Sequence, residues 1–349
     1  MERPVSRIAA AAATGLLIMG ACNAPGAGQG GGSDDPVTVR LGYFPNVTHA
    51  TAIVGVAQGL FADALGGGVH LETTVFNAGT DATEALFSGA LDASYMGPNP
   101  ATNAFVKSGG TAVRVIAGAT SGGAALVVRA GIEKPADLAG SVLATPSLGN
   151  TQDVALRTWL ADQGLSATRE GGGDVDIMPQ ANGDALTAFV SGHIDGAWVP
   201  EPWATRMVRE GGGHVLVDER DLWPDGAFVT TLLVISTDFL DAHPDVVKGL
   251  LRGHVAATAF VNEHPEQAQE IVTTSIADLT GAKLPAGTIG VAWQGLAFTN
   301  DPIASSLYAD ARDAKALGFL ETDDLAGIFD LALLNEVLVE AGATPVPSP

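Results

Sequence analysis

Short apolar runs alternate with amphipathic stretches along most of this chain, and the alternation starts afresh near residue 141. Residues 37–46, VTVRLGYFPN, alternate apolar and polar positions and break at Pro45, the pattern of a strand entering a loop. Ile53, Val56, Leu60, Phe61 and Leu65 then recur at helical spacing, with Thr48 or His49 as N-cap. Residues 69–79 read as a second strand, and Thr80 or Asp81 as the cap of the next helix. Residues 113–129 are apolar, break at Ser121-Gly122-Gly123, and resume as a strand. In the second half, residues 141–146 read as a strand, 147–150 as a loop and 151–165 as a helix whose apolar face holds Val154, Leu156, Trp159 and Leu160. Asn150 and Thr151 are good N-cap types there, and Asp153 suits the first turn. Residues 175–180 are another strand; a polar connector around Trp223-Pro224 leads to a strand over 228–236. From Asp238 the pattern is helical to Ala341, with breaks at 283–288 and 298–302.

One segment occurs twice. Residues 84–110 align without a gap on 187–213, and eight of the 27 positions are identical: Ala85/Ala188, Ser88/Ser191, Gly89/Gly192, Asp92/Asp195, Ala101/Ala204, Thr102/Thr205, Gly109/Gly212 and Gly110/Gly213. Each copy reads as a helix end with a Ser-Gly C-cap, a short apolar strand, a Pro-bearing turn and a second helix. A duplicated helix–strand–helix piece predicts an α/β protein with two similar lobes. Ligands of open α/β sheets bind at the carboxyl ends of strands, where the two Pro-bearing turns lie. Two crossings, near residues 124–130 and 227–236, predict a clamshell with two hinge strands. The expected boundaries are 37–127 and 233–349 for lobe 1 and 128–232 for lobe 2.

The first 36 residues are of another kind. Arg3 and Arg7 precede an apolar run over residues 8–19, and Met19-Gly20-Ala21-Cys22 ends it with small residues. This resembles a bacterial lipobox, which implies a signal peptide over 1–21, lipidation of Cys22 and a flexible tether over 22–36. By random-coil scaling the tether reaches about 20 Å. Its GxGxxG (Gly26, Gly28, Gly31) follows no strand and opens no helix, so it is no phosphate cradle. Cys22 is the one cysteine in the sequence, which excludes disulfides, CxxC redox chemistry and cysteine-rich metal sites. Removal of residues 1–21 leaves 38 acidic and 15 basic side chains, a net charge of −23. So acidic a chain does not suit nucleic acid or charge-driven binding to anionic lipid, and the lipid itself must anchor it.

Several motifs together, YFPNVTHA, FNAGTDATEALFSGALDASYMGPNPA, IAGATSGGAALVVR, ATPSLGNTQDVALRTWL, DGAWVPEPWATRMV and DERDLWPDGAFVTTLLVIST, resemble the substrate-binding proteins of ABC importers for nitrate, taurine and aliphatic sulfonates, the aliphatic-sulfonate branch above all. The resemblance covers roughly residues 37–320. It implies a type II periplasmic-binding fold, a small anionic ligand held between the lobes, delivery to a permease driven by a separate ATPase, and an extracytoplasmic location. A monomer without metal or cofactor is expected.

Five loops hold the candidate ligand residues: Asn46 and His49; Gly97, Pro98 and Asn99; Ser121 and Gly122; Asn150, Thr151 and Gln152; Glu201 and Trp203. None of these loops contains Lys or Arg, so an anion would be held by backbone N–H groups, amides and hydroxyls at helix starts. Micromolar binding needs about −8 kcal/mol, and hydrogen bonds to a charged group supply about 1.5–3 kcal/mol each, so four or five donors suffice after the cost of association. Each residue also has a purely structural alternative: Asn150 and Thr151 as caps, the glycines as turn formers, Trp203 as core, His49 as a satisfied surface histidine. Glu201 either faces solvent, pairs with a cation such as Arg220, or meets an amine on the ligand. No GxSxG, Walker A or HExxH is present and the seven histidines are scattered, so the sequence carries no enzyme motif of these kinds. Other readings are nitrate, bicarbonate or a thiamine-precursor pyrimidine as ligand, or a sensor ectodomain.

Overall fold

Val39 and Leu41 are fully buried on the strand that opens the described region, and the alternation that predicted it also fixes which face turns to the core. The computed structural model describes residues 36–349; the expected signal peptide, Cys22 and nearly all of the tether lie outside the described residues. The chain runs β1 (Val37–Tyr43), α1 (Ala50–Ala57), α2 (Leu60–Leu65), β2 (Val69–Val75), α3 (Gly79–Phe87), β3 (Ala93–Met96), α4 (Pro98–Lys107), β4 (Val113–Gly122) and β5 (Ala124–Val128). It continues with β6 (Val142–Thr145), α5 (Thr151–Asp162), β7 (Asp176–Pro179), α6 (Asn182–Val190), β8 (Gly196–Pro200), α7 (Trp203–Gly211), β9 (His214–Asp218) and β10 (Val229–Ser236). The last part is α8 (Thr237–Ala242), α9 (Pro244–Glu263), α10 (Pro265–Thr280), α11 (Thr288–Trp293), β11 (Leu296–Phe298), α12 (Ala304–Ala316) and α13 (Ala332–Glu340). Among the described residues no helix is long and apolar enough to cross a membrane.

Two sheets result, ordered β11-β4-β10-β3-β1-β2 and β7-β6-β8-β5-β9. Each is covered on both faces. Val39, Leu41, Tyr95 and Leu233 pack under α1, α9 and α13 on one face of the first sheet, while Met96, Val115 and Leu232 pack under α3, α4 and α12 on the other. In the second sheet Ala197 and Val199 face α6 and α7, and Leu143 and Trp198 face α5.

The duplicated segment forms α3–β3–α4 in one lobe and α6–β8–α7 in the other. Its shared aspartate does the same work twice. Asp92 accepts the Arg40 N–H of β1 at 2.7 Å and returns its own N–H to the Arg40 carbonyl at 2.9 Å. Asp195 accepts the Val142 N–H of β6 at 2.9 Å and returns its N–H to Val142 at 2.7 Å. Each carboxylate also meets a guanidinium, Arg40 at 2.8 Å and Arg129 at 3.0 Å. The Ser-Gly caps follow the same rule, Gly89 and Gly192 having φ of 70° and 79°.

The lobes are joined by an antiparallel ribbon. β4 and β5 run from the first sheet to the second, while β9 and β10 run back, with Ser121 opposite Val229 and Ala125 opposite Asp218. Residues 124–127, expected in lobe 1, therefore pair in the second sheet, and residues 229–232, expected in lobe 2, pair in the first. The change of sheet occurs at Gly122-Gly123, both left-handed (φ 77° and 79°), a conformation that glycine adopts freely. Uniform hydrophobicity on both sides of that pair hides the boundary from a pattern reading.

Other local differences have local causes. α3 begins at Gly79, with Ala78 as N-cap, rather than after Thr80 or Asp81, and Gly79 approaches Pro100 so closely that a Cβ would lie 2.3 Å from its ring. β9 and β11 lie outside the strands that the sequence pattern predicts; both are short and lie at sheet edges.

Glu219, in the return connection, is almost fully buried and accepts the Trp198 Nε1–H at 2.6 Å. Burial pushes its carboxyl from the usual 4.5 up to about 7, against the pull of its bonds to Trp198 and Trp223. A carboxyl raised in the folded state stabilises the fold fully below the unfolded value and loses that contribution as pH rises through 7. Glu219→Gln keeps an acceptor for Trp198 and removes the ionisation. Urea unfolding at pH 5 and pH 8 should show the variant gaining on the wild type by up to about 3 kcal/mol at the higher pH; parallel pH profiles for the two proteins would contradict this.

Candidate functional site

Asn150 decides the geometry of the site because it caps α5. Its Oδ1 accepts the Asp153 N–H at 2.9 Å and its carbonyl accepts the Val154 N–H at 3.0 Å. The first-turn N–H groups of Thr151 and Gln152 are left without helical partners, as geometry requires at a helix start. Asp153, fully buried, fixes the preceding loop by accepting from Thr145 Oγ1 (2.8 Å), Gly149 N (2.8 Å) and Arg157 Nε (3.0 Å).

Thr151 and Gln152 line a cavity of about 40 Å³ between the lobes. Lobe 1 lines it with Phe44, Asn46, Thr48 and His49 from the turn after β1, Gly79 at the start of α3, Gly97 and Pro100 at the start of α4, and Thr230 on β10. Lobe 2 contributes Asn150, Thr151, Gln152 and Pro200. Among the lining residues none is charged. His49 is neutral because burial depresses its pKa to about 3, and its Nδ1 accepts the Phe44 N–H at 3.3 Å, which leaves the proton on Nε2. Thr151 Oγ1 is buried and has no partner. The cavity thus offers amide and hydroxyl donors at a helix start, an environment for a small oxyanion.

Two hydrogen bonds close the lobes beside it. Trp203 Nε1–H donates to Asn46 Oδ1 at 2.8 Å, and Val47 N–H donates to the Glu201 carbonyl at 3.0 Å. Trp203 packs in the lobe 2 core and lines, with Phe44 and Asn46, a second interlobe cavity of about 660 Å³.

Of the sequence candidates, Asn46, His49, Gly97, Asn150, Thr151 and Gln152 converge on the small cavity, and Trp203 lies beside it. Pro98 and Asn99 form the first turn of α4 but Pro100 faces the cavity; Asn99 is buried with both amide atoms unpartnered. Ser121 and Gly122 belong to the ribbon: Ser121 Oγ accepts from Phe228 N at 3.2 Å, and Thr230 Oγ1–H donates to the Gly122 carbonyl. Glu201 caps α7 by accepting from Thr205 N (3.0 Å) and Oγ1 (2.9 Å), with burial raising its pKa. Arg220 pairs with Asp218 at 2.5 Å, not with Glu201. Thr48 and Pro200 belong to two of the candidate loops without being singled out in them, and the sequence pattern points to none of Phe44, Gly79, Pro100 or Thr230. Thr230 carried a signal in hindsight, a hydroxyl within an apolar strand that crosses between lobes.

Gly97 has ordinary extended φ/ψ (−71°, 165°), so alanine costs nothing in backbone strain there, yet a Cβ would sit 2.5 Å from Thr151 Oγ1 across the cleft. Gly97→Ala should keep the melting temperature of the unliganded protein and weaken ligand binding at least about tenfold, the ratio that follows from about 1.4 kcal/mol. Calorimetric titration alongside thermal unfolding checks it; unchanged affinity would show that the lobes need not approach this closely.

A family model described as the NMT1-like family matches residues 32–277. The taurine-binding periplasmic protein of Escherichia coli is 29% identical over 224 residues, covering 63% of this chain and 65% of that protein. The bicarbonate-binding protein of Synechococcus elongatus is 23% identical over 266 residues, covering 68% and 57%. The match thus spans about two thirds or less of these relatives' lengths. Among solved structures, the alkanesulfonate-binding protein of Xanthomonas axonopodis pv. citri bound to MOPS superposes with a TM-score of 0.70 at 19% identity, covering 85% of this chain and 99% of that one. The nitrate-binding protein of Synechocystis PCC 6803 gives 0.71 at 16% identity, covering 88% and 89%. The chain has the two-sheet α/β fold of these periplasmic binding proteins, and it belongs to the NMT1-like family.

Proposed function

We propose that this chain is the extracytoplasmic binding component of an ABC importer, that it captures a small organic oxyanion, an aliphatic sulfonate above all, between its lobes, and that lipidated Cys22 holds it at the membrane. The observation that carries the proposal is the uncharged interlobe cavity into which the free first-turn amides of α5 and the unpartnered Thr151 hydroxyl converge. Donors without a full positive charge bind a strong-acid anion without the desolvation cost of burying a counter-ion. The names of the taurine- and alkanesulfonate-binding relatives support sulfonate as the head group. No step alters the ligand: closure is favoured because only the closed form lets both lobes contact it, and the closed form is the state delivered to the permease.

A thermal-shift panel of alkanesulfonates, taurine, sulfate, nitrate, bicarbonate and a thiamine-precursor pyrimidine tests the head group. A ligand at 100 times its Kd adds about 2.7 kcal/mol of stability. Sulfonates should raise the midpoint clearly and nitrate or bicarbonate much less; a shift only by nitrate, bicarbonate or the pyrimidine would replace the sulfonate assignment. Thr151→Val, nearly isosteric, should weaken sulfonate binding about tenfold through loss of one hydrogen bond to a charged group.

A further inference from the structure

α12 runs out into Leu317-Gly318-Phe319, and the way it ends fixes the place of Phe319. Gly318 is left-handed at φ 76°, its N–H donates to the Lys315 carbonyl at 2.9 Å, and the Phe319 N–H donates to the Ala314 carbonyl at 2.7 Å. These are the two bonds of a Schellman turn, which closes a helix at a glycine. The Phe319 ring packs against the lobe 1 core and meets lobe 2 as well. Arg169 Cζ lies 4.6 Å and Arg157 Cζ 5.8 Å from the ring centroid, and Arg169 Nη1 donates to the Gly318 carbonyl at 2.9 Å. Gly149, at φ 72°, comes so near that a Cβ there would lie 3.0 Å from the ring.

Two of these lobe 2 contacts belong to the arrangement that sets the start of α5. The Gly149 N–H and the Arg157 Nε–H both donate to Asp153 Oδ2, at 2.8 and 3.0 Å. The Arg157 side chain is only 2% exposed, and its Nη2 has no hydrogen-bond partner. A buried guanidinium is costly unless its charge and donors are met, and an aromatic face within about 6 Å meets them in part. Phe319 supplies that face from the opposite lobe without lining the small cavity itself.

We propose that Phe319 is a positioning residue for ligand capture: on closure it seats against Gly149 and the Arg157 and Arg169 guanidinia, and so holds the α5 first turn in its binding geometry. This rests on the binding reading above and adds to it a residue that acts on the anion site through Asp153 and its partners. In the open form the ring leaves Arg157, and the support of the turn is weaker. Ligand affinity and closure are thereby coupled at a point that never touches the ligand.

Phe319→Leu keeps an apolar side chain for the lobe 1 core and removes the aromatic face, whereas Phe319→Tyr keeps the face. Calorimetric titration and stopped-flow dissociation with isethionate, beside thermal unfolding of the unliganded proteins, separate the roles. Phe319→Leu should bind about tenfold more weakly through faster dissociation, with the unliganded melting temperature held, and Phe319→Tyr should bind like the wild type. Unchanged affinity in Phe319→Leu, equal losses in both variants, or a loss that follows a lowered melting temperature would overturn the inference while leaving sulfonate capture intact. If the wild type binds nitrate and not isethionate, the sulfonate reading falls and the same comparison with nitrate decides the role of Phe319. Binding of neither anion would overturn both. Should Phe319→Leu fail to fold, Arg169→Gln at an exposed position replaces it: dissociation about threefold faster supports the inference, and unchanged dissociation overturns it.

Discussion

The N-terminus of α5 is the constraint on which the site depends. Asn150 uses its side chain and its carbonyl to cap the helix, and Asp153 uses both carboxylate oxygens to fix the loop before it. What remains for a ligand is the pair of amides at Thr151 and Gln152, fixed before any ligand arrives. Donors oriented in advance cost no reordering on binding, so the anion gains most of their hydrogen-bond strength. The absence of Lys and Arg from the cavity wall follows the same logic: a buried guanidinium would need its own partner whenever the site stood empty.

The hydrogen bonds between the lobes are few. Beside the cavity they are Trp203 to Asn46 and Val47 to Glu201; at the rim Arg169 donates to the Gly318 carbonyl at 2.9 Å and Arg209 to the Ala286 carbonyl at 2.9 Å. Each exchanges a bond to water for a bond to protein and contributes about 1 kcal/mol net. Arg220 adds a bond to the Gln294 carbonyl at 3.4 Å, Val154 of α5 packs in the lobe 1 cluster with Leu307 and Leu320, and Arg157 and Arg169 lie over Phe319; a ligand that touches both lobes adds its own contacts to these in the closed form. The ribbon at Gly122-Gly123 supplies the place where the backbone can turn.

Much of this was legible in the sequence. The two aligned segments were written in the same residues, and the identical Asp92 and Asp195 make the same reciprocal bonds in each lobe. The Asn150 cap and the convergence of Asn46, His49, Gly97 and Thr151 followed from strand–loop–helix order, since such loops lie at the same end of a sheet. What was not legible depends on tertiary approach. Glu201 looked like a ligand or ion-pair residue, yet Thr205 one turn along α7 takes its carboxylate. Ser121 and Gly122 looked like part of the pocket, yet the bonds to Phe228 and Thr230 hold them in the ribbon. The switch of sheets at Gly123 was misplaced by a few residues, because β4 and β5 are equally apolar and differ only in which neighbours they pair with.

Oxyanion capture here means an anion held by the α5 first turn with both lobes closed on it. A crystal structure of the protein with isethionate tests it most directly. Sulfonate oxygens are expected about 2.7–3.2 Å from the Thr151 and Gln152 nitrogens, with Gly97 of the opposite lobe against the same head group. A sulfonate bound elsewhere, for instance at Lys107 and Arg169 on the cleft's outer edge while the α5 amides hold only water, would contradict it.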